Sequence, residues 1–254
     1  MSDFNYRVLD ETHHRPWPLP TAPWCMTQTW HNLLFADWPV DGGALRALVP
    51  QGLQLDLYGG QAWVGVIPFR MTNVAPRGIP SVPFVSAFPE LNVRTYVTVG
   101  GKPGVYFFSL DAGSTVAVAA ARMLFGLPYF AARMRLEVSE GEVRYESERE
   151  TGSGGAAAFV GRYRPTGPVE PPLAGTLEHF LTERYCLYRV DDSFHTHRLE
   201  VHHEQWPLQV ADATIERNTM AEAAGIRLPA TASLLHYAHR MDMVAWAPYR
   251  VTQS

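Results

Sequence analysis

The chain has 254 residues, of which 46% are hydrophobic and 18% charged, and it carries a net charge of −4 at neutral pH. That size and composition can build a sizeable core and exclude a disordered protein. The acidic balance, with no basic run interleaved with aromatics, excludes a general nucleic-acid binder. No apolar run approaches a membrane span. Residues Met1 to Arg7 lack the basic start and apolar stretch of a signal peptide. Cys25 and Cys186 are far apart, form no CxxC and cannot frame a metal site by themselves. The expected location is a reducing cytoplasm; the alternative is a secreted chain whose signal has been removed.

In chain order, residues 1–24 form an N-terminal arm rich in proline and tryptophan, extended rather than helical. Residues 26–38 read as a strand or an irregular apolar segment. Asp41 is placed to cap a short helix from Gly42 to Val49, stopped by Pro50. Residues 53–58 and 61–69, separated by Gly59-Gly60, predict a hairpin. The proline-containing stretch 72–89 predicts a loop.

Residues 90–99 alternate with period two and predict a strand. The turn Gly100-Gly101-Lys102-Pro103-Gly104 leads to a second strand, Val105 to Leu110, making a hairpin. An alanine-rich helix starts at Ser114 or Thr115 and runs to Phe125, with Gly126 and Pro128 as its stop. Strands are expected near 131–138, 142–149 and 157–163, the last two joined by Gly152-Ser153-Gly154-Gly155. Pro165 to Pro172 is the best linker candidate. A helix Leu177–Arg184 capped by Thr176, strands 186–190 and 195–202, a short helix from Asn218 to Gly225 and a final strand 233–245 complete the chain. Roughly ten strands in hairpins and four short helices argue for a mainly β fold, largely antiparallel and curved or closed, with peripheral helices. The segment after the linker is short for a domain of its own, so 1–254 reads as one domain.

No GxSxG, GxGxxG after a strand, P-loop or HExxH is present. The chemistry therefore has to come from scattered side chains. On the strand 90–99, one face carries Leu91, Val93, Val97 and Val99. The other carries Glu90, Asn92, Arg94, Tyr96 and Thr98. If the polar face meets solvent it is unremarkable; if it faces the inside of a closed sheet it lines a ligand pocket. The Cα atoms of Glu90 and Arg94 would lie about 13 Å apart, too far for a direct pair but suited to bracketing one small ligand. An arginine inside such a sheet is a natural carboxylate clamp. The competing reading is a structural ion network across strands.

His195-Thr196-His197 puts two imidazoles on one strand face, with His202-His203-Glu204 nearby. Two histidines and a carboxylate can bind zinc or iron. No third ligand is fixed by spacing, so neither metal nor other cofactor is assigned. His31, beside Trp30, reads as a core histidine rather than a catalytic one, and is counted with the side chains that would contact a ligand.

Several segments resemble the YqjF-like family of uncharacterised bacterial proteins. They include Leu45–Leu53, Ala62–Phe69, Glu90–Val97, Pro103–Ala112, Ala121–Tyr129, Glu183–Tyr188 and His236–Ala238. That family is similar in turn to acetoacetate decarboxylase. The resemblance implies an acetoacetate-decarboxylase-like fold: a cone-shaped, largely antiparallel β-barrel around a buried pocket, with the polar face of strand 90–99 inside. It implies little about reaction. In the decarboxylase pattern a Gly-aromatic-Pro-Lys-Lys segment supplies the imine-forming lysine. The matching stretch here is Gly126-Leu127-Pro128-Tyr129-Phe130, and both lysines are gone. The one lysine of the chain, Lys102, falls in a turn, where solvent would keep its amine charged.

The leading expectation is thus a small-molecule pocket for a carboxylate or keto acid. Arg94, Asn92, Tyr96 and His31 would bind the ligand, with Glu90 as acid or base and Tyr129 as hydrogen-bond donor. Whether it is an enzyme stays open. The alternatives are a non-catalytic relic of the same scaffold and a histidine-based metal enzyme. A buried Glu90 free of Arg94 would titrate high and suit proton transfer, whereas one locked by Arg94 would titrate low and suit structure. The apolar arm could cover a partner subunit in a homo-oligomer.

Overall fold

A computed structural model describes residues 3–81, 86–149 and 154–251. Among these residues no helix is long and apolar enough to cross a membrane. The strands are β1 (Met26–Val40), β2 (Gln54–Leu55), β3 (Ala62–Pro76), β4 (Phe88–Val99), β5 (Lys102–Ala112), β6 (Tyr129–Ser139) and β7 (Glu142–Arg149). They continue with β8 (Ala158–Pro165), β9 (Cys186–Val190), β10 (Thr196–His203), β11 (Gln209–Asn218), β12 (Leu234–Ala245) and β13 (Tyr249–Arg250). The α-helices are α1 (Gly42–Leu48), α2 (Thr115–Phe125) and α3 (Leu177–Thr182). Asp41, Ser114 and Thr176 each accept a hydrogen bond from a backbone N–H of the first helical turn, as the sequence predicts. Gly126 ends α2 in the left-handed region at φ 62°, where a glycine carries no Cβ penalty.

The fold is mainly β. Its strands form one sheet that closes through pairings β4–β5, β5–β9, β9–β10, β10–β12, β12–β1, β1–β3 and β3–β4. A second circuit leaves this ring at β5 and returns at β12 through β6, β7, β8 and β11. Strands β1, β3 and β4 belong to both. They have one face on the space inside the first ring and the other on an apolar core containing Leu34, Val66, Leu91, Val93, Tyr145 and Phe159.

Most pairings are antiparallel, but β5–β6 and β5–β9 are parallel. The β5–β9 approach is close at Gly104, where a Cβ would lie 2.7 Å from the Cys186 carbonyl oxygen. Only glycine fits there.

The double burial depends on local phase changes. Along β1, Met26, Gln28 and Trp30 face the inner space, then Leu33 and Phe35 do. The switch from even to odd positions occurs at Asn32, whose φ is 52°, within a register shift against β3. Along β3 the reverse switch occurs at Asn73, φ 53°, between Met71 and Val74. These are β-bulges built on asparagine, which tolerates the left-handed region better than most residues. Tyr163 and Tyr237 donate to the carbonyl and side-chain oxygens of Asn32, which ties the bulge to the second circuit.

Several sequence expectations need correction. Residues 53–58 do not form a hairpin with 61–69: β2 pairs with β4, leaving only a Tyr58–Gln61 bridge. The predicted loop 72–89 starts later, because β3 runs to Pro76; residues 82–85 lie outside the described residues. The Gly152–Gly155 joint also falls partly outside them. Strand β11 was not expected; its alternating charged residues disguise an edge-like strand with one half-buried face. Asn218 ends that strand, and the helix after it is only a 3₁₀ turn, Glu222–Ala224. The linker candidate 165–172 is stitched to β11, through Thr166 N–H to Val210 O and Glu170 N–H to Leu208 O. The N-terminal arm is seated on its own chain. Val8 packs with Val244 and Trp246, and Arg15 donates to the Val201 carbonyl.

Lys102 is the largest correction. It is not a solvated turn residue. The turn is Gly100-Gly101, and Lys102 begins β5 with its ammonium held 2.7 and 2.8 Å from the two carboxylate oxygens of Glu200. Both side chains are buried. Because Leu199 and Val201 of β10 point into the ring, Glu200 points out of it, under the N-terminal arm where Trp17 covers Lys102. Glu200 also pairs with Arg198 at 3.0 Å and accepts from the Tyr249 hydroxyl at 3.0 Å, so losing the lysine costs its charge-assisted hydrogen bonds without leaving the carboxylate bare. Lys102→Ala is therefore expected to lower unfolding stability by about 1.5–3 kcal/mol. A urea-unfolding midpoint shift worth less than about 0.5 kcal/mol, the usual size for a surface change, would contradict this placement.

Candidate functional site

The space inside the first ring is a cavity of about 310 Å³. Strand β4 contributes its polar side: Glu90, Asn92 and Arg94 all line the cavity, while Leu91, Val93 and Val97 enter the opposite core. Alternation on a strand buried on both faces thus places three polar groups in a row on one wall. Register puts Glu90 beside Phe69 of β3 and Ala112 of β5, and Arg94 beside Gly65 and Phe107. From the second circuit the Tyr145 hydroxyl donates to the Glu90 carbonyl at 2.7 Å and to the Phe69 carbonyl at 3.2 Å. These bonds pin the backbone of both strands under the glutamate.

Glu90 and Tyr129, each expected to act on one ligand, meet each other directly on the cavity wall. The phenol donates to Glu90 Oε2 at 2.9 Å, and both groups are buried. Tyr129 gets there because Gly126 ends α2 and Pro128 turns the chain into β6, which runs parallel to β5 beside Leu110. Burial raises the Glu90 carboxyl from its ordinary 4.5 to about 8. The Tyr129 hydroxyl pulls it down and the nearby Asp111 pushes it further up. No contribution from Arg94 enters, so this is the behaviour of a glutamate free of the guanidinium. The Tyr129 phenol is held well above its usual range by burial and by Glu90, and stays a donor.

Asp111 itself is engaged elsewhere. Arg149 grips it with two hydrogen bonds, 2.6 and 2.7 Å, in a buried bidentate pair.

Arg94 donates to the Leu181 carbonyl of α3 at 3.0 Å and lies 5.4 Å from the Phe35 ring. Among the described residues no carboxylate lies within ion-pair distance of it, and its buried Nε has no hydrogen-bond partner. Asn92 is buried with its Oδ1 likewise unpartnered. Arg94 thus makes no direct ion pair, and acts at longer range on the buried Asp37 carboxyl, to which Tyr96 donates.

Tyr96 and His31 sit elsewhere than the sequence reading expects. Tyr96 is on β4 but does not line the cavity; its hydroxyl donates to Asp37 Oδ1 at 2.9 Å. Asp37 is fully buried, and burial raises its carboxyl to about 6, against the pull of Arg94 and the Tyr96 hydroxyl. His31 lies next to the β1 bulge on the far face. Its Nε2 shares a 2.8 Å hydrogen bond with Thr72 Oγ1, and burial lowers its imidazole to about 4.

The histidine cluster does not converge. His197 Nε2 bonds Asp191 at 2.8 Å and His195 lies 3.6 Å from the same carboxylate. His203 faces the cavity instead, with Nδ1 on the Glu204 carbonyl at 2.6 Å. Burial lowers its imidazole towards the neutral form. Among the described residues no three His, Cys, Asp or Glu side chains are grouped to hold a metal.

Three cavity features escape the sequence reading. Arg184 reaches the wall while paired with Asp56 at 2.5 Å. His203 stacks on Tyr185 with ring centroids 4.8 Å apart. Trp30 and Trp206 stack at 5.8 Å, with Phe35 edge-on to Trp206. A single feature, the high aromatic content near 185 and 203–206, could have pointed to them. Together the walls present two arginines, one neutral-leaning carboxyl, one phenol and one open amide oxygen in an aromatic surround. Such a set can bind an anion and move a proton.

Solved structures of similar fold are acetoacetate decarboxylase from Legionella pneumophila and the enduracididine biosynthesis enzyme MppR in complex with pyruvate. The first has a TM-score of 0.62 at 15% identity and covers 99% of this chain and 98% of its own. The second has a TM-score of 0.61 at 12% identity and covers 95% and 94%. The fold class expected from the resemblance is thus found. In sequence, the uncharacterized protein YqjF of Bacillus subtilis (strain 168) is 47% identical over 231 residues, 90% of this chain and 93% of that protein. The family model for uncharacterized conserved proteins named DUF2071 matches residues 27–242. With that span matched and nearly half its residues shared with YqjF, the chain belongs to the DUF2071 family.

Proposed function

We propose that the protein binds a small carboxylate or keto acid inside the first ring, with Arg94 as the anion clamp and Glu90–Tyr129 as a proton-holding pair. The observation that carries this is the contrast along β4. Among the described residues Arg94 is a charged donor with no carboxylate within ion-pair distance, Asp37 acting on it only at longer range, whereas Glu90 is a carboxyl pushed to about 8 with a donor beside it. A permanent cation supplies affinity for an anionic head group. A carboxyl poised near neutral pH supplies general acid–base capacity.

Asn92, between them, would accept from a hydroxyl or amide of the ligand through its open Oδ1. The fold kinship agrees, since MppR is known with pyruvate bound.

The chemistry available differs from imine formation. An imine needs a neutral amine beside the substrate carbonyl. Lys102 points away from the cavity and its ammonium is spent on Glu200. Any turnover would run through proton transfer at Glu90 and electrostatic stabilisation by Arg94. A binding or sensing role without turnover uses the same pocket and differs only in lacking product.

Thermal denaturation with pyruvate, acetoacetate and the corresponding amides distinguishes an anion pocket from a merely apolar one. A ligand at 100 times its Kd stabilises by about 2.7 kcal/mol. Stabilisation by the acids and not the amides, lost in Arg94→Met, is expected. If no acid stabilises the wild type while Arg94→Met melts far lower, Arg94 is structural and the proposal fails. Product formation by the stabilising acids then decides between catalysis and binding alone.

The Glu90 carboxyl makes a separate prediction. Its folded value, about 8, lies above its ordinary 4.5. The folded state therefore holds a proton that the unfolded state has released between these pH values. The resulting stability is full below about pH 4.5 and is lost as pH rises to about 8. Unfolding of wild type and Glu90→Gln, compared from pH 4 to 9, should give a difference that falls across that window. Tyr129→Phe, which removes the hydrogen bond holding the value down, should extend the fall to higher pH. A pH-independent difference between wild type and Glu90→Gln would show that Glu90 is ionised in the folded protein.

A further inference from the structure

We propose that the occupant is an acid with an apolar tail, bound head first, its carboxylate at Arg94 and its tail running towards α2. This rests on the anion-pocket reading above and goes beyond it by naming the class of ligand.

The polar and apolar parts of the wall are segregated along the ring. The polar end lies at α3, where Arg94 donates to the Leu181 carbonyl and where Thr182 and Arg184 also reach the cavity. Asn92 and Glu90 follow at successive inward positions of β4. Beyond Glu90 the inward residue of β4 is Phe88, paired with Met71 of β3. From there β3 offers Met71, Val74 and Pro76. Pro76 pairs with Met26 of β1, which pairs in turn with Ala245 of β12.

The seven steps from Phe69, opposite Glu90, to Pro76 span roughly 20 Å of strand. Gln28 is the one polar side chain of β1 on the cavity at this end, and its Oε1 accepts from Trp30 Nε1 at 2.8 Å. Phe125 of α2 packs against the same cluster as Met26, Val201 and Ala245. Val116 and Leu124 of α2 line the cavity and are also exposed, 62% and 64%, so the apolar end is where the cavity meets the surface.

A six-atom keto acid seated at Arg94 would leave this wall bare. Filling an apolar wall with methylene groups is favourable, by about fourfold in affinity per CH₂ buried. The order of the groups also fixes direction. An amphipathic acid entering past α2 brings its charge to the end where, among the described residues, the wall carries the guanidinium groups of Arg94 and Arg184, and its tail comes to rest against the apolar side chains.

The test is calorimetric titration of the full-length protein with straight-chain carboxylates from acetate to decanoate, kept below micelle concentrations, with pyruvate and the matching primary amides alongside. Affinity is expected to rise about fourfold per methylene over several carbons and then level off. The amides should bind at least tenfold more weakly than the acids of equal length. Ala121→Trp, which fills the tail end from the inner face of α2, should make affinity level off at a shorter chain.

If pyruvate and acetate bind but affinity is flat or falls with length, the anion pocket stands and the tailed ligand is overturned. If long amides bind as well as long acids, the cavity is an apolar site without a head-group clamp, and both readings are overturned. If no acid or keto acid of the series binds, both likewise fail. If Ala121→Trp leaves the chain-length profile of a folded protein unchanged, the tail does not run to α2 and the proposed direction is wrong.

Discussion

The structure depends on strands β1, β3 and β4 being walls between two enclosed spaces. A strand that is buried on both faces must find apolar neighbours on one and tolerate whatever its alternate residues bring to the other. On β4 the alternate residues are Glu90, Asn92 and Arg94, so the polar row is forced into a cavity by the same packing that buries Leu91, Val93 and Val97. The cost of placing those groups away from water is what makes them chemically useful. It pushes the carboxyl up, leaves the amide oxygen open and leaves the guanidinium Nε without a hydrogen-bond partner.

Keeping a strand in phase with two spaces over fifteen residues requires adjustment, and Asn32 and Asn73 supply it. Each turns the chain through a left-handed residue so that the inward set changes parity without the strand leaving the ring. The aromatic belt depends on this. Trp30 and Phe35 both meet Trp206 although they stand an odd number of positions apart. The bulge at Asn32 is in turn tied by Tyr163 and Tyr237, so the second circuit braces the geometry of the first.

Buried charge is handled in two ways. Lys102–Glu200, Arg149–Asp111 and Arg184–Asp56 are pairs whose partners satisfy each other. Glu90 and Arg94 are buried or half-buried without a charged partner, and both face the cavity. Asp37, Arg15 and Glu183 are also buried without an ion pair, but each is hydrogen-bonded to a neutral group and none lines the cavity; Glu90 and Arg94 face the cavity, where a ligand's charge and proton can complete them.

Local pattern alone determined the β4 faces, the capped helices α1, α2 and α3, the β4–β5 hairpin and the end of α2 at Gly126, because period, caps and turn residues act over a few positions. Glu90 was singled out by its strand face and Tyr129 by resemblance; that the two meet came only from the fold. What the sequence could not decide was everything set by partners far along the chain. Tyr96 has the same alternation as Glu90 and Arg94, but Asp37, fifty-nine residues away, claims its hydroxyl. His31 looks like a candidate until a bulge one residue later turns it to Thr72. Lys102 reads as a turn residue because its glycines are local, while Glu200, which buries it, lies ninety-eight residues on. Which space a side chain enters, and which charge meets it there, is a property of the closed ring and not of any segment that builds it.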